Sequence, residues 1–490
     1  MSAFRKHSFH MQRRCMTRCR SFSSVSQSTQ TRISQLSASD LREIIGANKR
    51  AFIVYDKEKN KFETSHPELS QLIQTFANEV DTADILLTED ASLARDFDDH
   101  EGLFLEIGKE TNAIHGAFVH KTKRGAGAGG VRYWTYDNVS QYLCDGLRLS
   151  RGMGRKNALA GLWWGGGKGV IWREDDHNYL DRAFRDTLFK EYGEFMTSLN
   201  GCYITAEDLG VTVDDMRQIF STTRYTTCIP EDLGGSGNPS IKTGHGIVSA
   251  MEGALAYHDD SLHGKSISIQ GFGNVSQAMV RHLFQHHDRY QVKSIYATEI
   301  NAKALDIAQQ IQNEEFPHIK DLELNVEIVP FGDNSALFRD GVDIVSPCAV
   351  GGTLNEETIP QIKAKYIVGA ANNQLLNDIE DDELLRKHGK YYVPDFLANR
   401  MGIVNCSNEQ YGRIEDDDAI QRHLGKSYEN GIYIMVHKVF GKSDQDGIPT
   451  GLAANEIADE LMTHPHPLWG HRPWQIIQSL VSNGWHKQSL

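Results

Sequence analysis

Nowhere do the 490 residues hold a run of about 18 apolar positions, so no membrane-spanning helix is expected. Cations are outnumbered, 51 Lys and Arg against 65 Asp and Glu, and the net charge of −14 argues against nucleic acid or an anionic membrane surface as a partner. Cysteine is scarce. The seven, at 15, 19, 144, 202, 228, 348 and 406, are scattered, odd in number and without a Cys-x-x-Cys pair. They read as buried thiols of a reducing compartment, neither disulfides nor zinc ligands. The histidines of HPHPLWGH (464–471) are interrupted by prolines and have no patterned Cys or carboxylate, so no metal site is expected.

A further absence is local: no Asp or Glu precedes Asp40, while residues 1–39 hold seven Lys or Arg and ten Ser. Acid-poor, Arg- and Ser-rich N-termini mark mitochondrial transit peptides. A leader over 1–39, with an Arg-led cleavage region near Phe22, and a mature protein in the matrix are therefore expected.

With 40% apolar residues the rest can bury two cores. Apolar strand-like runs (GAFVHKT, GVIW, CYITA) alternate with helical segments such as NVSQYLCDGLRLSRGM, predicting an α/β first domain over 45–240. GAGAGG (125–130) reads as a loop. Over 241–395 a helix, the strand KSISIQ, a glycine turn, the helix VSQAMVRHLFQHH and the strand SIYATE make the first βαβ of a Rossmann domain. Residues 396–490 form a helical tail, with one long helical stretch over HLGKSYENGIYIMVHKVFGKS and a last one at WQIIQSLVSN. No internal repeat interrupts this plan.

In the turn Gly271-Phe272-Gly273-Asn274-Val275-Ser276-Gln277, the first glycine makes the bend and the second lets the backbone reach a pyrophosphate, which helix-terminal amides then face. Ser276 replaces the third glycine. Glu299 ends the next strand, 28 positions beyond Gly271 against the usual twenty or so. A carboxylate there accepts from a ribose diol and repels a 2′-phosphate, so NAD is expected over NADP.

Two lysines, Lys156 and Lys168, lie twelve residues apart in RGMGRKNALAGLWWGGGKGVIW, the second among glycines taken as a turn; further on, YITAEDLG carries Asp208. GGGKG is not a Walker loop, because Gly169 stands where Ser or Thr is required. Two cations and a carboxylate suit a site that holds a substrate carboxylate and moves protons at a neighbouring carbon. The Trp163-Trp164 pair beside them reads as packing.

These segments, with AGGVRYWTYD (128–137), GGSGNPSIKTGHG (234–246), SPCAVGGTLNEETIP (346–360), VGAANNQL (368–375) and VPDFLANRMGIVNCSNEQYG (393–412), run in order and resemble the glutamate/leucine/phenylalanine/valine dehydrogenase family over roughly 100–440, the branched-chain members most. The resemblance implies reversible oxidative deamination of an L-amino acid to the 2-oxo acid and ammonia, with hydride leaving the α-carbon and water attacking the iminium. It also implies a homo-oligomer, and a tail that packs back on the first domain.

Residue by residue, it implies that Lys156, with the backbone of Gly129 and Gly130, binds the α-carboxylate. Lys168 becomes the base, its pKa lowered by burial and a neighbouring cation, and Asp208 the proton-handling acid. Thr243, Ala349, Asn372 and Asn373 fall on the nicotinamide side. Ala128 stands where glutamate-specific members carry a lysine, and with Met153, Ala206, Ile403 and Cys406 it makes an apolar side-chain pocket. Leucine and its branched-chain relatives are expected first, an aromatic substrate second, then glutamate. One departure is Asn399-Arg400-Met401-Gly402 in place of Asn-Ala-Gly-Gly, which puts two large side chains near the hinge or the pocket rim and leaves open a catalytically silent dinucleotide-binding protein.

Overall fold

The computed structural model describes residues 33–67, 69, 96–175 and 177–488. Its first sheet has seven strands, β1 (Arg50–Asp56), β2 (Lys61–Thr64), β3 (Gly102–Ile107), β4 (Ile114–Val119), β5 (Gly127–Trp134), β6 (Gly165–Trp172) and β7 (Tyr203–Glu207), in the order β2-β1-β3-β4-β6-β5-β7. β1 to β4 are antiparallel neighbours, β4 meets β6 antiparallel, and β5 runs parallel to β6 and β7. One face packs under helix α1 (Ala38–Ile45) and helix α2 (Val139–Leu159), burying Leu41, Phe118, Tyr142 and Trp172. The other is covered by helix α3 (Arg182–Ser198), with Phe104, Tyr192 and Phe195 at its centre. Central strands buried on both faces show near-continuous apolar runs, which is why β3 and β4 lack polar alternation.

Two loop assignments change. Gly165–Gly169 is not a turn but the first half of β6, and β5 starts inside GAGAGG, at Gly127. The glycines are there for space. A Cβ at Gly166 would overlap the Ser150 carbonyl, at Gly167 the Tyr203 ring, and at Gly169 the Tyr192 hydroxyl. The close approach fixes Lys168 in the middle of a strand, opposite Phe118.

The second sheet joins β8 (Ser266–Gln270), β9 (Ser294–Glu299), β10 (Glu323–Ile328), β11 (Ile344–Pro347), β12 (Tyr366–Ile367) and β13 (Tyr391–Tyr392), all parallel, in the order β10-β9-β8-β11-β12-β13. This is the 3-2-1-4-5-6 Rossmann order, and ligands of such sheets sit at the carboxyl ends of the strands where the order reverses, here between β8 and β11. Helix α4 (Ser240–Ala256) and helix α5 (Asn274–Gln285) cover it.

The tail is broken where one long helix was expected. Gly425 and Gly431 bracket an irregular stretch, and helix α7 (Ile432–Asp446) begins only after them, following the short α6 (Met401–Cys406). α7 packs on α4 of the second domain. Helix α8 (Thr450–Met462) then crosses to α2, and after helix α9 (Arg472–Ser482) Trp485 is fully buried against Phe104 and Phe195 of the first domain. From Thr450 onward the tail therefore packs on elements of the first sheet's domain.

At the other end, folded structure reaches into the segment read as a leader. Ile33 and Ala38 are buried in the first domain and Ser37 caps α1 through a reciprocal bond with Asp40. A leader boundary at 39 would remove them. The proposed cleavage region near Phe22 lies outside the described residues.

Candidate active site

A cleft of about 350 Å³ opens between α2 with the middle of β5 and β6 and the end of β7 on one side and residues 370–373 and 395–406 on the other. Lys168 points into it from β6, 4% exposed, and its Nζ donates to Asp208 Oδ2 at 2.6 Å. Asp208, just past β7, takes a second bond at the same oxygen from Arg132 Nε of β5 at 3.2 Å. Arg132 also reaches Asp145 Oδ1 at 3.0 Å, and Tyr136 donates to Asp145 Oδ2 at 2.6 Å. Parallel strands and one helix thus deliver a Lys-Asp-Arg-Asp chain of alternating charge.

Burial pushes the Lys168 pKa down; Asp208 pulls it up and Arg132 pushes it down again. The cation beside Lys168 is Arg132, which sequence reasoning did not single out although it lies in AGGVRYW. Asp208 pays a desolvation penalty that Lys168 and Arg132 overcome, holding its pKa at about 2. Lys156, near the C-terminal end of α2, has no ion pair or hydrogen bond among the described residues; burial lowers its pKa to about 8, against the pull of Asp395. A cation without a partner among the described residues, facing a cleft, is available for a carboxylate. A lysine kept from full basicity beside an ionised aspartate is equipped to take a proton.

Gly130, Met153, Ala206, Ile403 and Cys406 line the cleft. Ala128 does not. It is 1% exposed and packs behind the wall with Trp164 and Ile403, against Met153. Gly129 is also off the cleft surface, its carbonyl accepting from the Tyr203 hydroxyl at 2.7 Å. Cys228, unforeseen, completes the apolar end with Ala206 and Cys406, its Sγ 3.3 Å from that of Cys406. Its loop is placed by a bridge between Thr205 and Thr226, a long-range pairing with no local signal.

Neither residue of the Arg400-Met401 departure enters the pocket. Arg400 is fully buried and donates to the carbonyls of Leu159, at the end of α2, and Asn430. Met401 fills the core beside Gly246 of α4. Trp164 is buried packing, while Trp163 is 42% exposed and stacks under Arg124.

On the dinucleotide side, Gly271 has φ +92°, which favours glycine, and a Cβ there would press on Ala349. Gly273 has open space around it and precedes α5, whose first amides have no side-chain cap. Asn274, Val275, Ser276 and Gln277 form that first turn; the Ser276 hydroxyl donates to the Gly271 carbonyl at 2.7 Å and Gln277 to that of Phe272 at 2.8 Å. Glu299 accepts the Phe272 amide at 2.8 Å, which fixes its carboxylate beside the turn. Thr243, Val275, Asn372 and Asn373 line the cleft that holds both lysines. Open amides, an uncluttered glycine and a strand-end acid fit a dinucleotide.

Comparison with known proteins agrees with this geometry. Residues 109–225 match the Glu/Leu/Phe/Val dehydrogenase dimerisation domain and residues 234–459 the Glutamate/Leucine/Phenylalanine/Valine dehydrogenase family. The chain is 39% identical over 347 residues to leucine dehydrogenase of Bacillus subtilis (strain 168), covering 70% of this chain and 85% of that one. It is 34% identical over 349 residues to valine dehydrogenase of Streptomyces albus, covering 70% and 87%. In structure it is similar to L-tryptophan dehydrogenase from Nostoc punctiforme, with a TM-score of 0.58 and 32% identity over 74% of this chain and 96% of that one. With Lys156, Lys168 and Asp208 converging in a cleft beside an intact dinucleotide turn, the chain belongs to the glutamate/leucine/phenylalanine/valine dehydrogenase family of pyridine-nucleotide-dependent amino-acid dehydrogenases.

Proposed function

We propose that the protein catalyses NAD-dependent reversible oxidative deamination of branched-chain L-amino acids, leucine first. The observation that carries this is the cleft's chemistry: a Lys156 with no partner among the described residues, the Lys168–Asp208 pair, and an end wall of Ala206, Cys228, Ile403 and Cys406 that carries no charge. The Gly271–Gln277 turn and the α5 N-terminus would hold a nicotinamide dinucleotide, which when bound would supply the hydride acceptor. Lys156 holds the α-carboxylate. Neutral Lys168 takes a proton from the water that adds to the substrate's iminium, and Asp208 handles the protons of the amino group as the C–N bond breaks and ammonia leaves the 2-oxo acid. The test is reduced-nucleotide formation over a panel of amino acids with purified protein. Leucine, isoleucine and valine should lead, and inactivity on the whole panel would replace this reading with the silent binding protein.

Preference for NAD rests on Glu299, whose carboxylate is held beside the Gly271-Phe272 turn by backbone amides. NAD should exceed NADP by at least about tenfold in kcat/KM, a penalty of about 1.4 kcal/mol on the 2′-phosphate. Glu299→Ser should narrow that ratio. A wild-type preference for NADP would remove the role given to Glu299.

A matrix location and a homo-oligomeric state belong to the same proposal. The first is supported by the acid-poor, Arg-rich N-terminus, the second by the match of 109–225 to a dimerisation domain. Residues 1–25 fused to a fluorescent reporter should carry it into mitochondria; cytosolic fluorescence would overturn the targeting.

A further inference from the structure

The strongest unassigned group in the cleft is Asp395. It begins the turn Asp395–Ala398, opposite the helix that carries Lys156. One carboxylate oxygen accepts the Phe396 amide at 2.8 Å and the other the Asn373 amide. Four residues on, Asn399 Nδ2 donates to Asn372 Oδ1 at 2.9 Å and to the Ala370 carbonyl at 3.0 Å. Asn373 itself is held in a left-handed conformation, φ +53°. The 395–399 segment therefore ties down residues 370–373 while its carboxylate shares the cleft with Lys156.

We infer that Asp395 is a positioning residue: through the Asn373 amide it fixes the dinucleotide-side loop, and through its charge it keeps the Lys156 ammonium ready for the substrate carboxylate. This rests on the proposed role of Lys156. The charges facing Lys156 are Asp395, Lys168 and Asp208; Asp395 faces Lys156, Asp378, Arg148 and the Tyr392 hydroxyl, which accepts its amide at 3.3 Å, and burial raises its pKa while Lys156 and the Phe396 and Asn373 amides pull it down. Arg148 is already engaged by Asp378 at 2.9 Å, and Lys168 with Asp208, which leaves Asp395 as the counter-charge not committed to another cation. It is also the larger of the two influences that favour the charged form of Lys156.

Asp395 favours the Lys156 ammonium but repels the carboxylate that the ammonium binds. Below the Lys156 pKa of about 8 the two effects oppose, and above it the loss of protonation dominates. Asp395→Asn should therefore bind carboxylates nearly as well as wild type near pH 6.5, and then lose affinity at lower pH than wild type does.

The probe is 4-methylpentanoate, which carries a carboxylate and an apolar chain but no amine, titrated calorimetrically into full-length protein with and without NADH from pH 6.5 to 9.5. The variant-to-wild-type affinity ratio should fall about tenfold across that range, and Asp395→Glu should restore it at least in part. A ratio constant with pH would overturn the proposal and leave Asp395 a structural residue, because a damaged loop weakens binding equally at every pH. If wild type binds no 4-methylpentanoate at any pH, or if Lys156→Met binds it as well as wild type, the role of Lys156 fails first. With NADH bound, wild type should bind the probe more tightly, and Asp395→Asn should lose that gain; a gain of equal size in both would refute the coupling through Asn373.

Discussion

Lys168→Met is expected to lower kcat by 10²–10⁴ while leaving dinucleotide affinity within about twofold. The magnitude is what removal of a general base costs. The selectivity follows from position: Lys168 is in β6 of the first sheet, whereas Gly271, Gly273 and Glu299 belong to the second. Methionine keeps the aliphatic stem, so the packing among Gly167, Gly169 and Phe118 is retained. The mutation also leaves Asp208 with Arg132 as its remaining cation, which keeps that carboxylate ionised. In wild type kcat/KM should rise with pH as Lys168 loses its proton, because the neutral form is the base. Burial and Arg132 place that rise below the ordinary lysine range. The acidic limb should vanish in Lys168→Met. Steady-state rates with nucleotide fluorescence titration measure both quantities. A fall in nucleotide affinity as steep as the fall in rate would mean that the strand had been damaged, and the base would have to be sought elsewhere.

The placement of this site was legible because its parts are local in sequence. Lys156, Lys168, Asp208 and the Gly271–Gln277 turn each announce themselves within a few residues, and the strand-turn-helix context around Gly271 repeats in the structure. What escaped was set by contacts across the chain. A glycine run looks like a turn from composition alone; only the Tyr203 ring and the Ser150 carbonyl pressed against it reveal a strand. The antiparallel half of the first sheet, β1 to β4, follows from pairing rather than from periodicity. Cys228 and Cys406 meet across 178 positions, and Asp395 faces Lys156 across more than two hundred. Arg400 is the sharpest case. A charged residue in the hinge looks like a rim or pocket group, yet it turns away, fully buried, to the carbonyl of Leu159 that ends the α2 helix. Burial without a carboxylate lowers its pKa to about 9, and no local pattern predicts that arrangement.

Selectivity should then be decided at the apolar end of the cleft, where leucine is expected to exceed glutamate by at least about a hundredfold in kcat/KM. Ala206, Cys228, Ile403 and Cys406 offer a distal carboxylate no cation, and burying one unpaired costs several kcal/mol, each 1.4 kcal/mol being a factor of ten. Size selection lies one layer deeper. Ala128 does not touch the cleft, but it supports Ile403 and Met153, which do. In Ala128→Leu the added carbons meet Trp164 on one side and Ile403 on the other, so the wall must move inward. Overpacking of this kind costs about 1–3 kcal/mol, and a substrate short by a methylene or two avoids it. The valine-to-phenylalanine ratio of kcat/KM should therefore rise about tenfold, with general damage cancelling in the ratio. Cys228→Gly should move the ratio the other way. Its φ of +58° suits glycine, so the backbone accepts the change, and removing the thiol lengthens the pocket. Opposite shifts in the two variants would establish the end wall as the size gauge. Ratios unchanged in both would show that the substrate side chain points elsewhere, and the case against glutamate would have to be rebuilt on other residues.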